Sequence, residues 1–347
     1  MKKLKALPRH LPPRDKNPKN KKDFKYIPKK IFQTWETNKV SLGMYDAVHT
    51  WIDKNPDWEY HFFDKDDRRN FIKDNFPKKV LAAYDALIPG AYKADLWRYC
   101  VLYINGGVYC DIKQELLIDL NKVIFSDIEF LSIKDRNRTN NEFAGYIYQA
   151  FICTKPKHPF LKQVIDMIVE NANKGYYGYD DLSPTGPGLL GRAINIVLKR
   201  PDTEPHLAGN NNISGYKFCL FPTPNFSTKI CKTDKNKIFL ALEYKGFRQE
   251  QSVCFNKDVS FKYQYCWYNN KVYTHGKVIR TTPEKVFKKR LKKELAGGVV
   301  RMYKSGDKKS ARTEIRRIIK SGNFCFRLCE ALVSYEIVKP IKNIFKN

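Results

Sequence analysis

Residues 92–112 constrain this chain most, because they write a helix, a glycine stop and a short strand in direct succession. Over 92–105 the apolar Leu96, Tyr99, Cys100 and Tyr103 recur at helical spacing. Gly106 and Gly107 end that run, since glycine takes the left-handed conformation at a helix C-terminus without strain. Val108-Tyr-Cys-Asp-Ile112 then reads as a buried strand. A strand, a helix and a strand precede it. Lys30–Trp35 is β-branched and aromatic; Ser41 caps a helix with Met44, Tyr45, Val48, Trp51 and Ile52 on one face; Trp58–Phe63 is a second strand. Asp64 caps a polar helix ending near Phe76-Pro77, and another helix runs to Leu87. Further strands are expected at 130–133, 146–154 and 218–221, helices at 159–173 and 187–199, and aromatic-rich hairpins over 236–275. Such alternation predicts an α/β domain.

The chemistry in this frame is carried by two neighbouring features. Asp95 and Arg98 are three apart on one helix, so they can pair or grip one polar ligand together. Asp111 stands at the carboxyl end of a strand, where open α/β sheets bind ligands. Asp111, Lys113 and Glu115 share one side if that strand continues. A carboxylate there can hold a divalent cation against a diphosphate, and a lysine ammonium can neutralise phosphate oxygens directly. Spacing alone leaves an ordinary alternative open, a helix-surface salt bridge beside a strand that ends in solvated charges.

Five segments in order resemble glycosyltransferase family 32: Ile27-Pro-Lys-Lys-Ile-Phe-Gln-Thr-Trp35, Asn55-Pro-Asp-Trp-Glu-Tyr60, Lys93-Ala-Asp-Leu-Trp-Arg-Tyr99, Gly106-Gly-Val-Tyr-Cys-Asp111 and Thr185-Gly-Pro187. They span residues 27–200, roughly half the chain. The resemblance implies a GT-A-like, Rossmann-like α/β fold. It also implies transfer of a hexose or N-acetylhexosamine from a UDP- or GDP-sugar to a glycan or protein-linked acceptor, with retention of configuration and Mn²⁺ or Mg²⁺ on the diphosphate. Carried over by position, it makes Asp95, Arg98, Asp111 and Lys113 the catalytic set. Gln33, Trp35, Tyr92, Gly106, Gly107 and Trp267 become binders of the nucleotide sugar, and Asp111, Glu115 and His275 become metal ligands. Trp267 and His275 stand where the family closes its site with a Trp and a His, although the surrounding residues match less cleanly. Thr185-Gly186-Pro187 can present backbone N–H groups to acceptor or phosphate, or simply start a helix.

One departure bears on the metal. The second acid of the family's DXD motif is Lys113 here, and an ammonium beside a carboxylate repels a dication. Either Glu115 or a late residue completes the metal shell, or Lys113 partly replaces the metal, or the chain is a transferase-fold protein that binds without turnover. The Asp-Ile-Lys form resembles a recurring variant of the family, found also in large DNA viruses, which favours an active enzyme.

Charge locates the basic residues without naming the reaction. The net charge is +28, yet residues 1–30 hold 12 Lys/Arg against 2 Asp and residues 277–347 hold 20 against 6 acids, leaving only +4 for 31–276. Residues 1–26 are expected to form a flexible basic arm, 27–276 the transferase domain, and 277–347 a basic helical extension with amphipathic stretches at 284–295 and 311–346. These flanks suit an anionic membrane surface better than nucleic acid, or they pack on the body with their lysines solvated. A hydrophobic share of 42% excludes a disordered chain, and no apolar run approaches the roughly 18 residues of a membrane span. Arg9 and His10 interrupt what begins like a signal peptide, and nine cysteines show no CxxC spacing, so free thiols and a cytoplasmic or membrane-surface setting are expected.

Overall fold

Helix caps in the sequence set the first helices where they were expected. Ser41 Oγ accepts from Met44 N at 3.3 Å, and Asp64 and Asp67 form a reciprocal capping box. Such caps contribute about 1 kcal/mol each. The protein is described by a computed structural model covering residues 4–15, 22–136, 145–254 and 262–282, with Thr313 and Ile315. It divides into two compact units, Met1–Glu250 with Ser260–Ile279, and Gln251–Val259 with Arg280–Asn347. The elements that build the site lie in the first. They are β1 (Lys5–Ala6), β2 (His10–Leu11), β3 (Lys30–Thr34), β4 (Lys39–Val40), α1 (Leu42–Lys54), β5 (Glu59–Phe63), α2 (Lys65–Asn75), α3 (Lys78–Ala86), α4 (Gly90–Asn105), β6 (Gly107–Cys110) and β7 (Glu115–Leu116). There follow β8 (Phe130–Lys134), β9 (Ile147–Thr154), α5 (Pro159–Lys174), β10 (Tyr176–Gly178), α6 (Pro187–Val197), β11 (Gly209–Ile213), β12 (Tyr216–Phe221), β13 (Ile230–Lys232) and β14 (Ile238–Ala241).

An eight-stranded mixed sheet in the order β11-β12-β8-β9-β6-β3-β5-β2 organises the unit. Strand β3 runs parallel to both β5 and β6, while β9 is antiparallel to β6. Side chains alternate across the sheet. Ile31, Tyr60, Phe62, Val108, Cys110 and Phe151 pack with Met44, Val48, Trp51 and Ile52 of α1 in one core. The opposite face places Phe63 and Tyr109 against Trp97 of α4, with ring centroids 4.9 and 6.2 Å apart. The α/β class expected from the alternation is the class observed.

Three expectations need correction. Residues 4–15 are not a free arm: Lys5 and Ala6 pair with Val40 and Lys39, and His10 and Leu11 add an antiparallel edge strand to β5. Their backbone groups gain ladder hydrogen bonds, which outweighs Pro8 between the two strands and Pro12 and Pro13 after them. Residues 236–275 are only partly hairpin. After β13 and β14 come helices Phe247–Cys254 and Tyr263–Tyr268, so an aromatic run with strand propensity is helical where its neighbours bury Cys266 and Trp267. The strand at 108–112 stops at Cys110, with a consequence described below. Cys100, Cys110, Cys153, Cys219 and Cys231 are free and buried, as expected, and Cys266 is buried as well. No helix among the described residues is long and apolar enough to cross a membrane. The expected basic helices at 284–295 and 311–346 lie outside the described residues, apart from Thr313 and Ile315.

Candidate functional site

The Asp95–Arg98 pair is a buried pair and not a surface salt bridge. Their side chains are 6% and 7% exposed, with Arg98 Nη2 3.0 Å from Asp95 Oδ1. Helix α4 lies buried on most sides: Tyr92, Leu96, Trp97, Tyr99, Cys100, Val101 and Leu102 are inside as well, so a polar face on α4 faces protein. The pair is held from outside the helix. Gln149 Nε2 donates to Asp95 Oδ1 at 2.8 Å, and Thr185 Oγ1 donates to Asp95 Oδ2 at 2.7 Å. Arg98 Nη1 donates to the Gln149 carbonyl at 3.0 Å, and its guanidinium lies 4.4 Å over the Tyr109 ring. Burial pushes the Asp95 carboxyl up to about 6, against the lowering pull of Arg98, Thr185 and Gln149. Burial works against the Arg98 charge, but Tyr109, Asp95 and Asp111 more than offset it, and its pKa rises above its ordinary value.

Asp111 joins this network from the sheet. The parallel register Ile31↔Val108 and Phe32↔Tyr109, carried forward, sets Asp111 level with Thr34 at the carboxyl edge of the parallel strands. Asp111 N donates to the Ala150 carbonyl at 3.0 Å, and Tyr109 Oη donates to Asp111 Oδ1 at 2.9 Å. Arg98 Nη1 stands 3.4 Å from the same oxygen, while Lys113 Nζ stands 3.8 Å from Asp111 Oδ2. Unlike the pair on α4, Asp111 and Lys113 are partly open, with side chains 25% and 30% exposed. Lys113 Nζ also lies 5.7 Å from the Phe247 ring centroid.

The expected period-two alignment of Asp111, Lys113 and Glu115 is absent, because the chain turns after Asp111 and Gln114 N donates back to the Asp111 carbonyl at 3.0 Å. Glu115 then enters β7, which pairs with β14 in a separate three-stranded sheet. His275 is also elsewhere. Its Nε2 donates to the Ala172 carbonyl at 2.7 Å and its Nδ1 accepts from Lys277 N at 3.1 Å, so both ring nitrogens are committed. Asp111, Glu115 and His275 therefore form no ligand set. Among the described residues, the group of three such side chains with ligand atoms within 4.8 Å of one another is His10, Glu59 and His61, on the sheet edge. At Asp111 the donor set is one carboxylate between two cations, which does not fit a dication held by the protein.

The six residues expected to bind the nucleotide sugar lie in different settings. Trp35 follows the carboxyl end of β3, half-buried, and its carbonyl is fixed by Arg68 Nη1 at 3.1 Å. Gln33 is fully buried within β3 and accepts from Tyr60 Oη at 3.1 Å. Tyr92 is buried and donates to the Asp181 carbonyl at 2.6 Å, which ties α4 to the loop before α6. Trp267 is fully buried and donates to the Tyr177 carbonyl at 2.8 Å, a core role. Gly106 and Gly107 stand at the amino end of β6, about 13 Å of strand from Asp111. Their φ angles are +64° and +92°, and a Cβ on Gly107 would lie 2.6 Å from the Lys30 carbonyl. They allow the tight passage from α4 into β6, at the strand end opposite Asp111.

Sequence reasoning missed Gln149 and Tyr109, and it gave Thr185 only a backbone role. Gln149 braces Asp95 and Arg98 at once, and its Oε1 also accepts from Tyr99 Oη. Its one sequence signal was a polar residue inside the otherwise apolar strand Ile147–Thr154.

Residues 43–129, which contain the whole α4–β6–Asp111 unit, match the family described as the glycosyltransferase sugar-binding region containing the DXD motif. The chain is 32% identical over 162 residues to inositol phosphoceramide mannosyltransferase 2 of Schizosaccharomyces pombe, covering 46% of this chain and 44% of that protein. It is 30% identical over 153 residues to the uncharacterized glycosyltransferase L373 of Acanthamoeba polyphaga mimivirus, covering 42% and 55%. To the initiation-specific alpha-1,6-mannosyltransferase of Candida albicans it is 26% identical over 218 residues, covering 52% and 56%. A solved structure, the PaToxG glycosyltransferase, aligns with a TM-score of 0.39 at 17% identity over 50% of this chain and 71% of that one. The chain thus spans about half the length of the relatives it matches. DXD-type transferases generally use a nucleotide sugar and a divalent metal. Within the matched segment the chain reads Asp111-Ile-Lys113 after Cys110.

Proposed function

We propose that this chain is a glycosyltransferase that takes a hexose, mannose foremost, from a UDP- or GDP-sugar and passes it to a glycan or glycoprotein acceptor with retention of configuration. N-acetylhexosamine is the second donor class. The observation that carries this reading is the link between the buried Asp95–Arg98 pair and the half-open Asp111–Lys113 pair at the carboxyl edge of β3, β5 and β6, inside the matched region. The mannosyltransferase names of several relatives support the choice of sugar.

The leaving group of such a reaction is a nucleoside diphosphate, so the chief task is to stabilise developing negative charge. Lys113, 30% exposed, is the cation able to meet phosphate oxygens. Arg98 is saturated by Asp95, Asp111 and the Gln149 carbonyl, so it fixes the carboxylates and holds positive potential behind them. Trp35 forms a wall for the base. With one carboxylate between two cations, charge neutralisation in this proposal rests on the side chains. Basic flanks outside 31–276 support a setting at an anionic, cytoplasm-facing membrane surface.

Thermal protection by UDP and by GDP, followed by donor hydrolysis with the matching nucleotide sugars, tests the proposal. One nucleotide is expected to raise Tm in proportion to the logarithm of its concentration, and its mannose or glucose conjugate to be turned over. Protection by neither would remove the reading; protection without turnover of any conjugate would leave a binding protein.

A further inference from the structure

We propose that His10, Glu59 and His61 form a binding site for a transition-metal dication, Zn²⁺ foremost, on the sheet edge and separate from the site at Asp111. Strand pairing alone brings the three together. His10 and His61 are register partners across the antiparallel β2–β5 pair, so their side chains leave the same face. Glu59 lies two residues before His61 and shares that face. Their ligand atoms all lie within 4.8 Å of one another, and His61 Nε2 is 3.0 Å from Glu59 Oε2.

The chemistry is borderline-soft nitrogen with one hard oxygen, a donor set that selects zinc-like ions over Ca²⁺ or Mg²⁺. Zinc bonds of about 2.0–2.2 Å to nitrogen and oxygen need the ligand atoms to close to roughly 3.4 Å from one another. The required movement belongs to His10, which is exposed and whose ring is stacked on that of His61 with centroids 4.7 Å apart, so it must swing out of that stack. His61 is already fixed by the Phe32 ring, stacked at 5.0 Å and 17°. Three protein ligands leave the fourth position to water. The ion would clasp β2, the last strand of the sheet, to β5, and so anchor the N-terminal segment.

Lys30 Nζ stands 3.8 Å from Glu59 Oε2 and competes with the ion for that carboxylate. Arg9, next to His10 in sequence, is engaged by Asp64 and Asp67. Removing Lys30 should therefore tighten the site, which a fortuitous histidine contact would not do.

The test is calorimetric titration of the full, untagged chain with ZnCl2 in a chelator-free buffer. One equivalent is expected to bind and to raise Tm. Affinity should fall at least about tenfold in His10→Ala and in His61→Ala, rise severalfold in Lys30→Met, and stay unchanged in Asp111→Asn. His10→Gln, on the exposed edge, gives a second variant that keeps the strand polar, and circular dichroism verifies that each protein is folded. Absence of saturable uptake would overturn the proposal. So would an isotherm that survives His10→Ala and His61→Ala, or one lost in Asp111→Asn and kept in the histidine variants, which places the ion in front of Asp111.

Discussion

Asp95 with Arg98 and Asp111 with Lys113 are two acid–base pairs joined through one guanidinium, and they are built for opposite purposes. The helix pair is 6–7% exposed, and each carboxylate oxygen of Asp95 already has a protein donor. The strand-end pair is 25–30% exposed, with a lysine 3.8 Å from the carboxylate and not in hydrogen-bond contact. A pair already satisfied by protein is poorly placed to recognise a ligand, whereas an open, under-satisfied pair is primed for one. In the proposed function a well-anchored interior half holds a more open outer half in place.

The sharpest way to break this comparison is to remove one cation from each half. Arg98→Ala leaves Asp95 buried without its counter-ion, and about 3–5 kcal/mol of stability should be lost, read as a lower urea midpoint at unchanged slope. Lys113→Ala should change stability by less than about 0.5 kcal/mol while weakening nucleoside diphosphate binding by roughly tenfold or more. Equal destabilisation by the two would erase the distinction.

A smaller effect sharpens the outer half. Lys113→Asp restores a second carboxylate next to Asp111 and removes a repelling ammonium. Nucleotide binding by that variant should become dependent on Mn²⁺, whereas the parent protein should show little dependence. A parent protein that binds nucleotide only with Mn²⁺ would show that one carboxylate suffices.

The finest probe is pH. Asp95 is raised from 3.8 to about 6 mainly by burial. A carboxyl with a higher pKa in the folded state binds more protons there than in the unfolded chain between those values. Its contribution therefore favours the fold below pH 3.8 and is lost as pH rises through about 6. Ionised Asp95 is the form that pairs with Arg98, so nucleotide affinity should fall as pH drops through 6, and Asp95→Asn should abolish that inflection. A titration identical in the variant would assign the inflection to another group.

Much of the frame was legible because local rules wrote it. Ser41 and Asp64 cap where caps were expected, and Gly106 ends α4 at a positive φ. Nearness in sequence was a poor guide to nearness in space at two places. Asp111, Lys113 and Glu115 alternate only on paper, since a turn after Asp111 sends Glu115 into a different sheet. Gly106 and Gly107 sit next to the site in sequence and at the opposite end of β6 in space.

The sequence by itself determined the α/β alternation, the helix and strand that carry Asp95, Arg98 and Asp111, and the separation of a near-neutral body from basic flanks. Each of these follows from periodicity, caps and charge counts, which act over a few residues. Only the tertiary structure decided that Asp95 and Arg98 are interior, because burial depends on what packs around α4. Only it supplied Gln149 and Thr185, 54 and 90 residues from Asp95, or set His10 opposite His61 from separate strands. Contacts at such separations are selected by the packing of the whole sheet, and no local pattern encodes them.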